Sequence, residues 1–402
     1  MKEAIVHPGP RVEIIDSPIP EPGPGQVVIK TIVSGSNPKD WKVPEWMKDQ
    51  PSMNQGDDIA GTIHAVGANV TEFRKGDRVA AFHEMTKPGG SYAEYSVAWA
   101  HTTFFIPEKT SFEEAAAIPL AAMTAAVGLF AGDRLSLPPS WAPATEPTPL
   151  LVYGAASAVG VYVLQLAKKS NIHPLICIAG RAQEYVETLI DRSKGDTIID
   201  YRKGDEAIIK GVQEALGGKK LYHAYDAVAE KGSPQNIGKL LASPGGRSTF
   251  VLPPPGKGWD GKFEGLADDV HQSMTMVGSV HDNQKELGYV YFRYFTRGLE
   301  EGWFKGQRTE VVPKGLGGVQ GALENLKEGK ASAVKYVFRI ADTPGLGGDS
   351  FRRTSYEGQC FSIWLIISQS RDEARSHEDL ILQAKDGGRH DRVLIVFGGL
   401  IF

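Results

Sequence analysis

The residues best suited to chemistry surround one short turn. Leu150-Leu151-Val152-Tyr153 is a run of buried-strand residues, and Gly154-Ala155-Ala156-Ser157-Ala158-Val159-Gly160 follows it directly. Small side chains there let the backbone approach a ligand. The helix that opens at the turn offers N–H groups without intrahelical acceptors and a partial positive charge. Together these features suit a diphosphate. A glycine pattern alone is weak; set between a buried strand and a helix, it is what a dinucleotide site requires. The competing reading is a tight strand-to-helix turn with no ligand. About 20 residues further on, a protein reading the ribose 2′-hydroxyl of NAD carries an acidic residue. Here the second strand closes as Cys177-Ile178-Ala179-Gly180-Arg181, with no Asp or Glu. The planar fork of Arg181 suits a 2′-phosphate instead, which favours NADPH over NADH. Tyr201, just after Ile198-Ile199-Asp200, is a second candidate for that phosphate edge. The plainer alternatives are an exposed arginine and a tyrosine packed on a loop.

The elements that must position this turn follow from the pattern of the chain. Residues 3–131 are strand-like and turn-rich, with Val27–Val33, Ile63–Val66 and Arg78–Phe82 as strands. Ser111 and Glu114 form a capping box at the start of an Ala-rich helix that Pro119 interrupts. Residues 132–149 contain five prolines and read as a solvated loop. From 150 to 283 short apolar strands alternate with amphipathic helices. The strands are Leu150–Tyr153, Pro174–Ile178, Thr197–Asp200, Ala224–Val228, Arg247–Leu252 and Thr275–Val280, the signature of an α/β fold with a doubly wound parallel sheet. Residues 284–340 hold two helical stretches and the strand Val334–Ile340, read as a return to the first domain. Residues 341–402 break the pattern and read as an extension of unassigned role.

Composition excludes several classes. The 402 residues carry a net charge of −4, so no basic field favours nucleic acid or an anionic membrane. Cys177 and Cys360 are the only two cysteines, which rules out a disulfide framework and fits a cytoplasmic protein. Met1–Pro10 lacks the apolar run of a signal peptide. No stretch is expected to approach the roughly 20 apolar residues that cross a bilayer.

With the nucleotide turn, further motifs resemble the zinc-independent quinone-oxidoreductase and enoyl-reductase branch of the medium-chain dehydrogenase/reductase superfamily. They are Gly56-Asp57-Asp58-Ile59-Ala60-Gly61, Gly76-Asp77-Arg78-Val79, Gly90-Ser91-Tyr92-Ala93-Glu94-Tyr95 and Ala115 to Ala125. Ser36-Asn37-Pro38-Lys39-Asp40-Trp41 and the Pro-rich insertion are most similar to fungal trans-acting enoyl reductases of secondary-metabolite clusters. The resemblance covers residues 3–340 and implies a GroES-like catalytic domain plus a Rossmann domain. It also implies hydride transfer from NADPH to an activated C=C, in a monomer or homodimer serving a polyketide synthase.

By that resemblance Asn37, Pro38, Lys39 and Asp40 lie beside the nicotinamide and its ribose. Gly154, Ala155, Ala156, Ser157, Ala158 and Gly160 cradle the diphosphate, and Gly180, Arg181 and Tyr201 line the 2′-phosphate. Val251 and Leu252 pass the nicotinamide, and Lys335 closes over the cofactor. Thr124 borders the substrate pocket. Lys39 and Thr124 are the candidates for chemistry, with no single proton donor marked out. No zinc is expected: Asp57 stands where the family's zinc-binding His would be, and His64, His83 and His101 lack ligand spacing. Those histidines read as surface or partly packed. The aromatic set Tyr289, Tyr291, Phe292, Tyr294, Phe295 and Trp303 reads as helix core, with a substrate channel as the alternative. Two further readings remain: a free-standing quinone or enone reductase, and a nucleotide-binding accessory protein without turnover.

Overall fold

The computed structural model describes residues 1–346. The expected extension over 341–402 therefore lies outside the described residues from position 347 onward. Ala341–Leu346 continue the fold: Thr343 is buried, its Oγ1 accepts the Leu316 N–H at 2.9 Å, and Leu346 packs on neighbouring apolar side chains.

Six parallel strands form one sheet in the spatial order Thr197–Asp200, Leu175–Ala179, Leu150–Tyr153, His223–Asp226, Arg247–Phe250, His271–Met274. This is the Rossmann order, with the strand order reversing beside Leu150–Tyr153, the place where sheets of this kind bind ligands. Burial explains the sequence of the central strands: every residue of Leu150–Tyr153 and Leu175–Ala179 is inside, because helices cover both faces. Leu150, Val152 and Cys177 pack toward Tyr162, Val163 and Leu166 of helix Ala158–Lys169. Leu151, Ile176 and Ile178 pack toward Ile208, Val212 and Leu216 of helix Asp205–Leu216. The last strand departs from expectation. It runs over His271–Met274, and Val277–His281 is a 3-10 turn whose Val277 and Val280, three residues apart, both drop into the core.

The second large sheet is mostly antiparallel. It runs Thr309–Val311, Lys335–Arg339, Gln26–Gly35, Asp58–Val66, Arg78–Phe82, Thr103–Phe105, with Tyr95–Trp99 also paired to Gln26–Gly35. Lys335–Arg339 thus joins a sheet built from the first hundred residues.

Four expectations need correction. The Pro-rich segment 132–149 is irregular but not solvated throughout, since Leu135, Leu137 and Ala144 are buried and Trp141 packs against Tyr291. One stretch, Phe112–Phe130, is long and apolar enough to cross a membrane, but 83% of it is buried inside the protein, so it belongs to the core. Ser111 Oγ accepts the Glu114 N–H at 3.1 Å, as a cap should, but the Glu114 carboxylate turns to the Gly306 N–H instead of closing the box. Pro119 starts a second helix, Pro119–Phe130, rather than merely interrupting one. Tyr291, Phe292 and Phe295 of helix Lys285–Glu301 are core residues, with Phe295 stacked on Phe304.

Candidate functional site

The turn after Leu150–Tyr153 is shaped by backbone demands. Gly154 has φ +79°, a left-handed conformation, and a side chain there would strike Val228. Gly160 lets the helix approach the strand, because a β-carbon would collide with the Gly154 carbonyl and the Ala155 backbone. The N–H groups of Gly154 and Ala155 donate to the Ile178 carbonyl, and Ser157 Oγ caps the helix by accepting the Gly160 N–H at 3.0 Å. The N–H groups of Ala156, Ala158 and Val159 find no acceptor among the described residues. Three bare donors at a helix N-terminus fit an anionic diphosphate.

The next strand ends beside them. The Tyr201 ring lies over Gly180, where a β-carbon would come within 2.5 Å of it. A side chain at Gly180 would have to push that exposed ring aside. Arg181 is exposed and has no ion-pair partner among the described residues, whereas nearby Arg202 is paired with Asp200 at 2.5 Å. Val251 and Leu252 continue past the fifth strand, half-buried, with the Val251 N–H bonded to the Asp226 carbonyl. Asp226, fully buried at the end of the fourth strand, accepts from the N–H groups of Val228 and Ala229 and from Ser233 Oγ. Burial pushes its carboxyl up to about 6 despite these donors.

The sequence-predicted residues of the other domain meet in a buried charged cluster. Lys39 opens helix Lys39–Trp46, Asp57 and Asp58 stand at the head of a strand, His83 follows another strand and Lys335 opens a third. Lys335 Nζ donates to Asp58 Oδ2 at 2.5 Å and to Asn37 Oδ1 at 2.9 Å, while Asn37 Nδ2 donates to Asp58 Oδ2 at 2.7 Å. Asp58 Oδ1 takes the Leu120 N–H at the start of helix Pro119–Phe130. Lys335 is therefore committed to Asp58 and Asn37, 3% exposed, and not free to close over a ligand as expected.

Lys39 Nζ donates to the Gln55 carbonyl at 2.5 Å, pairs with Asp57 and lies 3.2 Å from Asp40 Oδ1. Burial works to lower the Lys39 ammonium, but Asp57 and Asp40 outweigh it and hold the group above its ordinary value. Burial likewise works to raise Asp57, and Lys39 and His83 outweigh it, keeping that carboxyl below the usual range. Asp40 is different. Burial dominates and pushes it up to about 6, although Lys39, the Tyr92 hydroxyl at 2.6 Å and the Asn37 N–H at 2.7 Å all favour its charge. Thr124 is buried; its hydroxyl donates to the Leu120 carbonyl within its own helix.

Helix Lys39–Trp46 faces the carboxyl edge of the parallel sheet. Lys42 Nζ reaches Glu230, just past the fourth strand, at 2.6 Å, and Trp46 meets Trp259 edge to face with ring centroids 6.5 Å apart. These contacts set the helix against the loops at the carboxyl edge of the parallel sheet, the edge where the nucleotide turn also lies, and in open α/β sheets the crevice at that edge is where ligands bind.

Comparison with known proteins decides the family. Residues 23–108 match the alcohol dehydrogenase GroES-like domain. The trans-enoyl reductase fsr4 of Gibberella fujikuroi is 54% identical over 313 residues, 78% of this chain and 91% of that protein. This chain belongs to the medium-chain dehydrogenase/reductase superfamily, in its trans-enoyl reductase branch. Among solved structures, the CurK enoyl reductase has a TM-score of 0.67 at 18% identity, covering 84% of this chain and 98% of its own. A mycobacterial protein, Rv1454c, solved with NADPH, has a TM-score of 0.65 at 22% identity, covering 84% and 99%. These likenesses show the fold.

In this oxidoreductase no three His, Cys, Asp or Glu side chains could hold a metal ion among the described residues. Asp57 is held by the Lys39 ammonium and His83. The reading of His83 as a surface or partly packed residue is overturned: it is 1% exposed, with Nδ1 2.9 Å from Asp57 Oδ1 and Nε2 3.1 Å from the Pro88 carbonyl. Sequence reasoning gave no site role to Asp58, His83 or Lys42. Asp58 and Asp57 sit inside the quoted Gly56–Gly61 motif, which was the available signal; His83 and Lys42 carried none.

Proposed function

We propose that this chain is an NADPH-dependent enoyl reductase, acting in the cytosol on an α,β-unsaturated thioester carried by a polyketide synthase, without zinc. The observation that carries the reading is the nucleotide turn: three bare N–H groups at a helix start, with an unpaired Arg181 and Tyr201 at the end of the neighbouring strands. The identity to a trans-enoyl reductase over 78% of the chain supports the choice of acceptor.

Ala156, Ala158 and Val159 would bind the diphosphate through their N–H groups, and Arg181 and Tyr201 the 2′-phosphate. The bound nicotinamide supplies hydride. The chain's own part is to hold the acceptor in the cleft between the helix at Lys39 and the carboxyl edge of the parallel sheet, and to exclude water there.

Titration with NADPH and NADH, followed by nicotinamide fluorescence, tests the cofactor. NADPH should bind more tightly, and Arg181→Ala should weaken NADPH about 10-fold or more with NADH unchanged, the loss of a charge-assisted contact. Turnover of an enoyl thioester with NADPH tests the acceptor. Binding of neither nucleotide would remove the reductase reading, and turnover of quinones alone would move the chain to the free-standing class.

A further inference from the structure

We infer that Lys39, Asp57 and His83 form a proton relay, with Lys39 delivering the proton to the substrate carbon and His83 recharging it through Asp57. This rests on the enoyl-reductase reading and supplies the proton donor that the sequence left unnamed.

The hydrogen-bond geometry of His83 is the starting point. Its Nε2 faces the Pro88 carbonyl, which can only accept, so Nε2 carries a proton. Its Nδ1 faces Asp57 Oδ1 at 2.9 Å, and with Nε2 protonated a neutral ring would offer that oxygen only a lone pair. The close contact therefore places one further proton between Nδ1 and Oδ1, held by the His83–Asp57 pair. A ring buried to 1% exposure that stores a proton against a carboxylate does more than fill space.

Asp57 links this ring to Lys39, one oxygen facing each. The groups around the ammonium are Asp57, Asp40 and the Gln55 carbonyl; Tyr92 backs Asp40, and His281 and Glu84 lie beyond His83. Neither Asp40 Oδ1 nor Asp57 Oδ2 receives a well-aligned hydrogen bond. The Gln55 carbonyl takes a directional hydrogen bond from the ammonium, and the two carboxylates hold it by charge. Lys39 is also the outward corner of the array, 14% exposed where both carboxylates are closed off. It sits three residues before Lys42, on the helix face that reaches Glu230.

The step balances. Hydride from the nicotinamide donor reaches the β-carbon of the unsaturated thioester, and the π pair becomes an enolate. The α-carbon takes a proton from Lys39 Nζ, leaving a neutral amine and a saturated thioester. The proton held between His83 Nδ1 and Asp57 Oδ1 then passes to the carboxyl, which turns and gives that same proton to the amine, leaving Asp57 ionised and the His83 ring neutral until it takes a proton from solvent. An enolate carbon is far more basic than a lysine amine, so the raised affinity of Lys39 for its proton does not block the transfer.

Arginine keeps the charge at position 39 but does not give up a proton. Lys39→Arg and Lys39→Met should each slow enoyl reduction about 100-fold at saturating NADPH, a typical general-acid contribution. His83→Gln should leave the first turnover near the wild-type rate and slow those that follow, giving a burst. In nucleotide-free protein, ring 15N shifts should show a hydrogen-bonded proton at His83 Nδ1 as well as at Nε2, the former lost in Asp57→Asn. Wild-type rate in Lys39→Arg would overturn the relay and leave a structural ion pair, and so would a singly protonated His83. If the wild-type protein reduces no enoyl thioester, the functional reading fails on its own, and the 15N spectrum still decides whether the array stores a proton.

Discussion

The nucleotide turn and the helix that brings Lys39 to the buried charged cluster both lie at the carboxyl edge of the parallel sheet, yet turn and cluster are built in opposite ways. The turn is contiguous: Gly154 to Gly160 supply the left-handed bend, the close helix approach and the cap, all within seven residues. The cluster draws Asn37, Lys39, Asp57, Asp58, His83 and Lys335 from places up to 298 residues apart. At the turn the working groups are backbone N–H donors, which any small residue can present. In the cluster they are side-chain charges whose meaning depends on partners that only folding brings together. A backbone site is written locally, and a charge site is a property of topology.

The largest effect that would sharpen this contrast is at Asp58. Asp58→Ala leaves Lys335 buried with no carboxylate and removes the acceptor of the Leu120 N–H. Breaking one side of a buried pair costs about 3–5 kcal/mol, so urea unfolding should show a loss of that size. Removing both charges together, as Asp58→Asn with Lys335→Met, should return stability to within about 1–2 kcal/mol of wild type. If the single change costs no more than the double, the cluster is not acting as one interdependent unit.

Asp226 tests the same contrast from the Rossmann side, since its donors come from its own loop, Val228, Ala229 and Ser233. Its carboxyl rises from 3.8 to about 6 on folding. The folded protein therefore holds more protons than the unfolded chain between these values, and stability falls as pH rises through that window and levels off above it. The shift corresponds to at most about 3 kcal/mol. Asp226→Asn should remove this share of the slope in urea unfolding between roughly pH 4 and 6, leaving that of Asp40, which burial also raises to about 6. An unchanged slope would mean that the loop donors balance the cost of burial.

The same distinction explains what could be read beforehand. The six parallel strands were legible because both-face burial writes short apolar runs such as Leu150–Tyr153, and the turn because glycine marks backbone that other residues cannot adopt. The final strand was misplaced because the apolar residues of Thr275–Val280 suggested a strand, whereas pairing of His271 with Arg247 sets the register earlier. His83 was read as a surface or partly packed residue because its partner, Asp57, lies 26 positions away on another strand. Lys335 was expected to close over the cofactor because nothing in its own neighbourhood announces Asp58. Thr124 was named correctly as a helix residue, but its hydroxyl is committed to its own helix, which composition does not reveal.

The smallest test falls on Ser157, where the local reading is at its most detailed. Ser157→Ala removes the bond that caps the Gly160 N–H and should cost about 1 kcal/mol in urea unfolding. The same change exposes one more N–H beside those of Ala156, Ala158 and Val159, all directed by a helix whose dipole is unaltered. NADPH affinity should therefore hold within about 3-fold while stability drops, because the backbone and not the hydroxyl binds the diphosphate. A fall in affinity of about 10-fold or more, the scale of one lost hydrogen bond to a charged group, would show that the serine side chain itself touches the anion. The turn would then share with the charged cluster a dependence on side-chain identity, and the division between backbone and charge sites would run inside the seven residues rather than between the two sites.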